Sequence, residues 1–159
     1  IGLQTAVMDI EIFSVQNIFE VAHPEMLEQA CLLIHIGARG SAMNLVRAGD
    51  SLVADNISVG GKAFTDAIVA ATGMDFAQAE TLKKSPEQLR SNDKAWAAVT
   101  KKMEDMASQI SRQLTLIKGA AGLAGSVDRI LLAGGGARLL SILPFRVDSR
   151  SVTILIELI

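Results

Sequence analysis

The chain has 159 residues, of which 50% are hydrophobic and 20% are charged, and its formal net charge is −2. This length suits one domain or one lobe of a larger protein, and the hydrophobic content is sufficient for a sizeable core. The basic residues are scattered, which argues against a nucleic-acid-binding face, and charges or glycines interrupt every apolar run before the ~20 residues that a membrane-spanning helix needs.

The first part of the chain is predicted to form one helix and a three-strand meander. Apolar residues at helical spacing predict the helix over Asp9–Val21, and it ends at His23 because the residue before a proline disfavours the helical conformation. An apolar run predicts a buried strand over Cys31–Ile36. Two further strands, Ser41–Arg47 and Ser51–Val59, are joined by a hairpin turn at Ala48-Gly49-Asp50.

After Gly60-Gly61 the apolar period changes from that of strands to that of helices. The first predicted helix ends at Gly73, a glycine of the kind that terminates helices. Asp75 is expected to cap a short second helix over Phe76–Lys84, which ends at Ser85-Pro86. The polar stretch Glu87–Lys94 is predicted to be a loop or a solvated turn.

The clearest helix of the chain carries a single apolar stripe, which is more often core than a cofactor-binding face. Glycines are expected to end it before a strand over Val127–Ala133, and the last predicted strand is Val152–Leu158. The stripe consists of Trp96, Val99, Met103, Met106, Ile110, Leu114 and Ile117, and the terminating glycines are Gly119, Gly122 and Gly125.

Two strand ends run into glycine-bearing turns. Cys31–Ile36 is followed by Gly37-Ala38-Arg39-Gly40-Ser41, and Val127–Ala133 is followed by Gly134-Gly135-Gly136-Ala137-Arg138. Glycine lets a backbone approach a ligand where a Cβ would collide, and a helix start offers N–H groups to an anion. Either turn alone is as often a tight connection without a ligand, but two of them on one domain are what a nucleotide cleft needs.

The order of these segments resembles the second lobe of the actin-like ATPase superfamily, most closely the type IV pilus assembly family PilM, with the cell-division family FtsA next. The resemblance covers roughly residues 5 to 140. It is carried by Val59-Gly60-Gly61-Lys62-Ala63-Phe64-Thr65-Asp66-Ala67-Ile68, by Ala79-Glu80-Thr81-Leu82-Lys83, by the long helix and by Leu132-Ala133-Gly134-Gly135-Gly136-Ala137-Arg138-Leu139.

The resemblance implies an α/β fold, the actin-like (ribonuclease H-like) second lobe, whose mixed sheet contains the three-strand meander and carries a helical insertion. Residues 1–24 would be the inter-lobe helix and the tail of the first lobe. Residues 25–159 would be the second lobe, with its insertion at about 60–95. The first lobe would be absent, and the start at Ile1 instead of Met also suggests a fragment.

The family binds ATP with Mg²⁺ between its two lobes, and the resemblance implies the same ligands here. The turn after Ile36 would be the second phosphate-binding hairpin, and the later glycine turn would bind adenosine. Glu80 and Lys83, three residues apart on one helix face, would meet the ribose and the adenine. The implied nucleotide-binding residues are Gly37, Ala38, Arg39, Gly40, Ser41, Glu80, Lys83, Gly134, Gly135, Gly136 and Arg138.

The resemblance also implies a scaffold in the cytoplasm, peripheral at the inner membrane, that binds the cytoplasmic tail of a PilN-like membrane protein and can self-associate. The full protein would be a weak ATPase at most, and this piece alone would not hydrolyse ATP. Two alternatives stay open: a scaffold module that has lost nucleotide binding, and an FtsA-like filament protein of cell division.

One position departs from the family pattern. The strand before the second phosphate hairpin normally ends in Asp-Ile-Gly, and here His35 stands in place of the Asp. A neutral imidazole does not replace the hard oxygen ligands that Mg²⁺ prefers. We therefore expect that hydrolysis is lost or that the metal is positioned from the first lobe. The simpler alternative is a hydrogen-bonded structural histidine.

Other candidate residues have plain structural explanations. The Glu80–Lys83 pair is also compatible with a solvated surface pair, and Arg39 with a solvent-facing loop residue. Asp9 and Glu11 fit either an inter-lobe helix or an ordinary acidic helix start. The single Cys31 lies in an apolar segment that disfavours a thiolate, and no Cys/His cluster has metal-ligand spacing. Covalent catalysis and a zinc or iron site are therefore not expected.

Overall fold

A computed structural model describes residues 9–123, 127–140 and 153–155. A short 3-10 turn, Pro24–Met26, follows the first helix. The helices are α1 (Glu11–Ala22), α2 (Gly61–Thr72), α3 (Phe76–Lys83), α4 (Pro86–Ser91), α5 (Asp93–Ala120) and α6 (Ala137–Leu140), and the strands are β1 (Cys31–Ile36), β2 (Ser41–Arg47), β3 (Asp50–Ile57), β4 (Arg129–Ala133) and β5 (Thr153–Leu155).

The strands form one mixed sheet in the order β3-β2-β1-β4-β5. The pairs β1–β2 and β2–β3 are antiparallel, which makes the predicted meander, whereas β4 is parallel to both β1 and β5. The predicted mixed α/β sheet is therefore confirmed. Because β1 and β4 are parallel and His35 lies opposite Ala133, the two glycine-bearing turns leave the sheet at the same edge. The carboxyl ends of parallel strands are where open α/β sheets bind ligands.

The central strand β1 is buried on both faces, which explains its unbroken apolar sequence. Leu32 and Ile34 belong to the larger core, which α2 and α5 cover. Cys31 and Leu33 point to the opposite face, where α1 covers them. On that second face, α1 contributes Ile12, Val15 and Phe19.

The long helix α5 confirms the prediction made from its apolar stripe. Asn92 accepts a hydrogen bond from the Ala95 N–H at 3.1 Å and so caps the helix start. Six of the seven stripe residues are buried, and Trp96 packs against the same core at intermediate exposure. The helix continues through Gly119 to Ala120, and the left-handed residue behind it is Gly122, with φ +62°. Gly125 lies outside the described residues.

The segment after α3 corrects the prediction of a polar loop over Glu87–Lys94. Residues Pro86–Ser91 form α4 instead. Proline at the first helical position has the φ that a helix needs, and Leu89 anchors the turn because its side chain is fully buried in the larger core. The preceding helices follow the prediction, with Gly73 at φ +74° after α2 and a capping box between Asp75 and Gln78 at the start of α3.

The meander has a tighter turn than predicted, since Ala48 and Gly49 both have positive φ and β3 begins at Asp50. Residues 153–155 lie within the predicted last strand and pair with β4; the rest of that prediction, Val152 and residues 156–158, falls outside the described residues. In the described part of the chain, no helix combines the length and the hydropathy needed to cross a membrane.

Candidate functional site

The turn after β1 is fixed by the start of α2. The N–H of Gly61 donates to the Gly37 carbonyl at 2.9 Å, and the N–H of Lys62 donates to the Ala38 carbonyl at 2.8 Å. The Gly37 N–H closes the turn by donating to Gly40 at 3.0 Å. Within the described ranges, the N–H groups of Ala38, Arg39 and Gly40 have no acceptor. A rigid run of backbone N–H groups of this kind is suited to binding an anion.

Gly60 packs directly beneath this turn. A Cβ on Gly60 would lie 2.6 Å from the Gly40 nitrogen and 2.7 Å from the Gly37 oxygen. Ser41 is buried and donates its hydroxyl to the Val59 carbonyl at 2.6 Å. Gly60, Gly40 and Ser41 therefore hold the turn in place, and none of the three lines the cleft described below.

The three glycines after β4 have three different environments. Gly134 has φ +87°, and a Cβ there would lie 2.6 Å from the His35 Nε2 atom and 2.7 Å from the Ile36 carbonyl oxygen. Gly136 donates its N–H to that carbonyl at 3.1 Å, and a Cβ on it would overlap the Ile36 side chain. Gly135 is exposed, and a Cβ there would meet no protein atom within 4 Å. Packing therefore requires glycine at 134 and 136, whereas position 135 faces open space.

Glu80 and Lys83 form a half-buried network rather than a solvated surface pair. The Lys83 ammonium donates to the Glu80 carboxylate at 2.6 Å, to the Thr65 hydroxyl at 2.8 Å and to the Gly61 carbonyl at 3.1 Å. Thr65 donates to the same Glu80 oxygen at 2.5 Å. Burial alone would raise the pKa of Glu80, but these hydrogen bonds outweigh it and hold that pKa at about 2. Glu80 is therefore an ionised acceptor at neutral pH.

These elements surround one cleft of about 950 Å³. Eight of the eleven residues predicted from the sequence line it: Gly37, Ala38, Arg39, Glu80, Lys83, Gly135, Gly136 and Arg138. Gly40, Ser41 and Gly134 stand behind its wall. The other lining residues are His35, discussed below, and seven that the sequence did not indicate as ligand contacts: Ile36, Gly61, Lys62, Phe76, Lys84, Pro86 and Leu139.

Helical spacing could have indicated Phe76, because it precedes Glu80 by four residues and therefore lies on the same face of α3. Its ring is 47% exposed at the cleft, and the Lys62 ammonium lies 5.5 Å from the ring centroid. Lys62 in turn forms an exposed ion pair with Asp66 at 2.7 Å. The Lys62 backbone N–H is hydrogen-bonded to the Ala38 carbonyl. Lys62 and the Phe76 ring beside it therefore lie next to the turn after β1.

The cleft is strongly basic although the whole chain is slightly acidic. Five basic side chains line it against one carboxylate, that of Glu80. They are Arg39, Lys62, Lys83, Lys84 and Arg138. Such a surplus of positive charge favours an anionic ligand.

His35 lies at the cleft edge and pairs with the start of α1. Its Nδ1 atom is 3.1 Å from a Glu11 carboxylate oxygen, which is within ion-pair distance. The other ring nitrogen faces Gly134. Glu80 is already engaged by Lys83, Thr65 and Lys84. In the described residues no group of three or more His, Cys, Asp or Glu side chains could hold a metal ion. Mg²⁺ beside a nucleotide usually takes one or two carboxylates in addition to phosphate oxygens and waters, and the one carboxylate that lines this cleft, that of Glu80, is already engaged.

Cys31 lies in the core beneath α1, on the face of the sheet opposite to α2 and α5. Burial raises the pKa of its thiol to about 11, and the Asp128 charge adds to that rise. A thiolate is therefore disfavoured, in agreement with the expectation from the sequence.

Comparison with known proteins gives a family and a fold. A family model described as "Type IV pilus assembly protein PilM" matches residues 1–155. A comparison with curated proteins finds no significant match.

Several solved structures share the fold at low sequence identity. The PilM–PilN type IV pilus biogenesis complex matches with a TM-score of 0.71 and 23% identity, over 89% of this chain and 39% of that one. The ethanolamine utilization protein EutJ from Carboxydothermus hydrogenoformans matches with a TM-score of 0.65 and 17% identity, over 84% of this chain and 47% of its own. MreB 5 of Spiroplasma citri bound to AMPPNP has a TM-score of 0.50 and 17% identity, over 94% of this chain and 61% of that one. The chain thus spans less than two thirds of each of these proteins, and the shared fold is actin-like.

Proposed function

This chain belongs to the PilM family of type IV pilus assembly proteins, and we propose on that premise that it is the nucleotide-binding lobe of an actin-like assembly scaffold. The ligand is ATP or its diphosphate product. In the proposed arrangement residues 1–24 connect to the first lobe, residues 25–159 form the second lobe, and the nucleotide lies between the two. The whole protein acts at the cytoplasmic face of the inner membrane.

The observation that carries this proposal is the turn Gly37–Gly40 at the wall of a basic cleft, where the N–H groups of Ala38 and Arg39 lack acceptors among the described residues. Phosphate is the anion that such a turn suits, because several N–H groups can bond to its oxygens at once. The bonds from Gly61 and Lys62 fix the turn beforehand, so little ordering is needed when phosphate binds.

The rest of the cleft suits a nucleoside. The open position at Gly135 leaves room for a flat ring close to the backbone, and Leu139 and Pro86 add apolar surface. Glu80 holds one carboxylate oxygen in the Lys83–Thr65 network, while its other oxygen contacts only the exposed Lys84, at 3.3 Å. That second oxygen is an acceptor suited to the ribose hydroxyls.

A PilN-like membrane protein is the partner that we propose, because the similar structure named above is a PilM–PilN complex. The partner's cytoplasmic tail binds mainly to the first lobe, and nucleotide in the cleft alters the relative position of the lobes. Fluorescence anisotropy of a labelled tail peptide, titrated with the full-length protein, tests this pairing. A tail that fails to bind at any nucleotide concentration would contradict it.

The alternative of a scaffold that has lost its nucleotide is favoured by one feature, the His35–Glu11 pair at the position of the family's Asp. Calorimetric titration of the full-length protein with ADP and, separately, with inorganic pyrophosphate distinguishes the two. Our proposal expects saturable ADP binding that is at least ~10-fold tighter than pyrophosphate binding, because only ADP uses the Glu80 and Gly135 side of the cleft. Equal affinities would indicate a simple anion site, and the absence of both would indicate the scaffold without nucleotide.

A further inference from the structure

The charges at the phosphate end of the cleft differ from those of a site that holds magnesium. Arg39 stands on the turn after β1, and Lys62 stands in the first turn of α2, which is bonded to that turn. Both side chains are exposed. No carboxylate of the described residues lies within ion-pair distance of Arg39. The Lys62–Asp66 pair is about half exposed at both partners, so it is weak and a phosphate can compete for the ammonium.

Among the described residues three carboxylates lie near this end, and each has a partner, Asp66 being the one that pairs with Lys62. Glu80 is held by Lys83 and Thr65, and Glu11 contacts the His35 ring. His35 itself presents one nitrogen to Glu11 and the other to Gly134. Mg²⁺ at a nucleotide usually adds one or two carboxylates to its phosphate and water ligands, and each carboxylate at this end already has a basic partner.

We propose that this cleft binds nucleoside diphosphate or triphosphate without Mg²⁺, and that Arg39 and Lys62 supply the positive charge that the metal supplies in a magnesium-dependent site. This inference rests on the proposed nucleotide-binding function. In this arrangement Lys62, which the sequence did not indicate as a ligand contact, donates a hydrogen bond directly to the terminal phosphate. Arg39 offers a planar set of donors that suits two phosphate oxygens at once.

The deciding experiment is a calorimetric titration of the full-length protein with ADP, once with excess Mg²⁺ and once with excess EDTA. We expect the two dissociation constants to agree within about threefold, whereas a magnesium-dependent site loses tenfold or more in EDTA. A loss of tenfold or more in EDTA would overturn this inference and leave the proposed function standing. The absence of binding in both buffers would overturn both.

Charge variants identify the groups that replace the metal. In EDTA, Arg39→Gln and Lys62→Gln are each expected to weaken ADP binding by roughly tenfold or more, as the loss of a charge-assisted hydrogen bond does. Lys101→Gln removes the same charge from an exposed position on α5 and is the matched control. If Arg39→Gln or Lys62→Gln binds ADP as tightly as Lys101→Gln does, the phosphate-binding role proposed for that side chain is wrong.

A variant at position 35 is expected to make ADP binding dependent on Mg²⁺. His35→Asp restores the oxygen ligand of the family pattern, and we expect it to bind ADP at least ~10-fold more tightly with Mg²⁺ than in EDTA. His35→Asn has a similar shape without the charge and should stay independent of Mg²⁺. Identical magnesium responses of His35→Asp and His35→Asn would contradict the account of this position.

Discussion

The two neighbouring positions Gly134 and Gly135 allow a matched test of the glycine turn. Gly134→Ala places a Cβ at φ +87°, in the left-handed region, which costs about 1–2 kcal/mol. The same Cβ would lie 2.6 Å from the His35 ring and 2.7 Å from the Ile36 carbonyl oxygen. The ring can shift but the backbone oxygen cannot, and such overpacking costs about 1–3 kcal/mol. We therefore expect Gly134→Ala to destabilise the protein by about 3 kcal/mol in all.

Gly135→Ala should behave in the opposite way. Its φ lies outside the left-handed region and its Cβ would meet nothing within 4 Å, so the unfolded chain loses entropy without new strain in the folded one. The expected change lies between zero and a stabilisation of about 1 kcal/mol.

Urea denaturation followed by circular dichroism measures both variants, and the midpoints should separate while the m-values stay equal. If Gly134→Ala is as stable as the wild type, or if Gly135→Ala loses as much stability as Gly134→Ala, the two glycines do not differ in their packing and the described turn geometry is wrong.

Three further predictions concern other parts of the molecule. The pKa of Glu80 is lowered to about 2 in the folded state, so its stabilisation is present above about pH 4.5 and is lost as the pH falls towards 2. Because solvent screens this partly exposed group, the free energy of unfolding should drop by about 1–2 kcal/mol more in the wild type than in Glu80→Gln, with the exposed Glu104→Gln as control. Cys31 should react with a thiol reagent such as dithionitrobenzoate only after unfolding, because it is fully buried with a raised pKa, and rapid labelling of the native protein would contradict this burial. Gly60→Ala should lower the free energy of unfolding by about 2 kcal/mol or more, because its Cβ would collide with the backbone of the turn after β1. In the same denaturation assay Gly119→Ala should be neutral or stabilising, because a Cβ there would have no protein atom within 4 Å.

Much of the fold could be predicted from the sequence because its strongest signals are local. The stripe of α5 repeats at helical spacing over many turns, and the capping pair Asp75 and Gln78 lies within four residues. The helix α4 was missed for the converse reason. It is short and polar apart from Leu89, and only the core that receives this leucine makes the segment helical.

The candidate site was predictable in its backbone and less so in its side chains. Glycine marks a turn, but sequence alone cannot distinguish Gly134, which packing requires, from Gly135, which stands open. The pairing of His35 with Glu11 depends on how α1 crosses the end of β1. The contact of Thr65 with Glu80 likewise joins two helices, so neither pairing has a signal in local spacing.

ADP titration of the full-length wild type and of Gly135→Val decides whether the cleft beside Gly135 binds a nucleotide. The valine side chain would enter the cleft from a position that packing leaves open, so the folded protein should keep its stability. We predict saturable ADP binding by the wild type and by the control Gly119→Ala, and at least ~10-fold weaker binding by a folded Gly135→Val. Wild-type protein that binds no ADP, or a Gly135→Val variant that binds it as tightly as the wild type, would show that this cleft is not the nucleotide site.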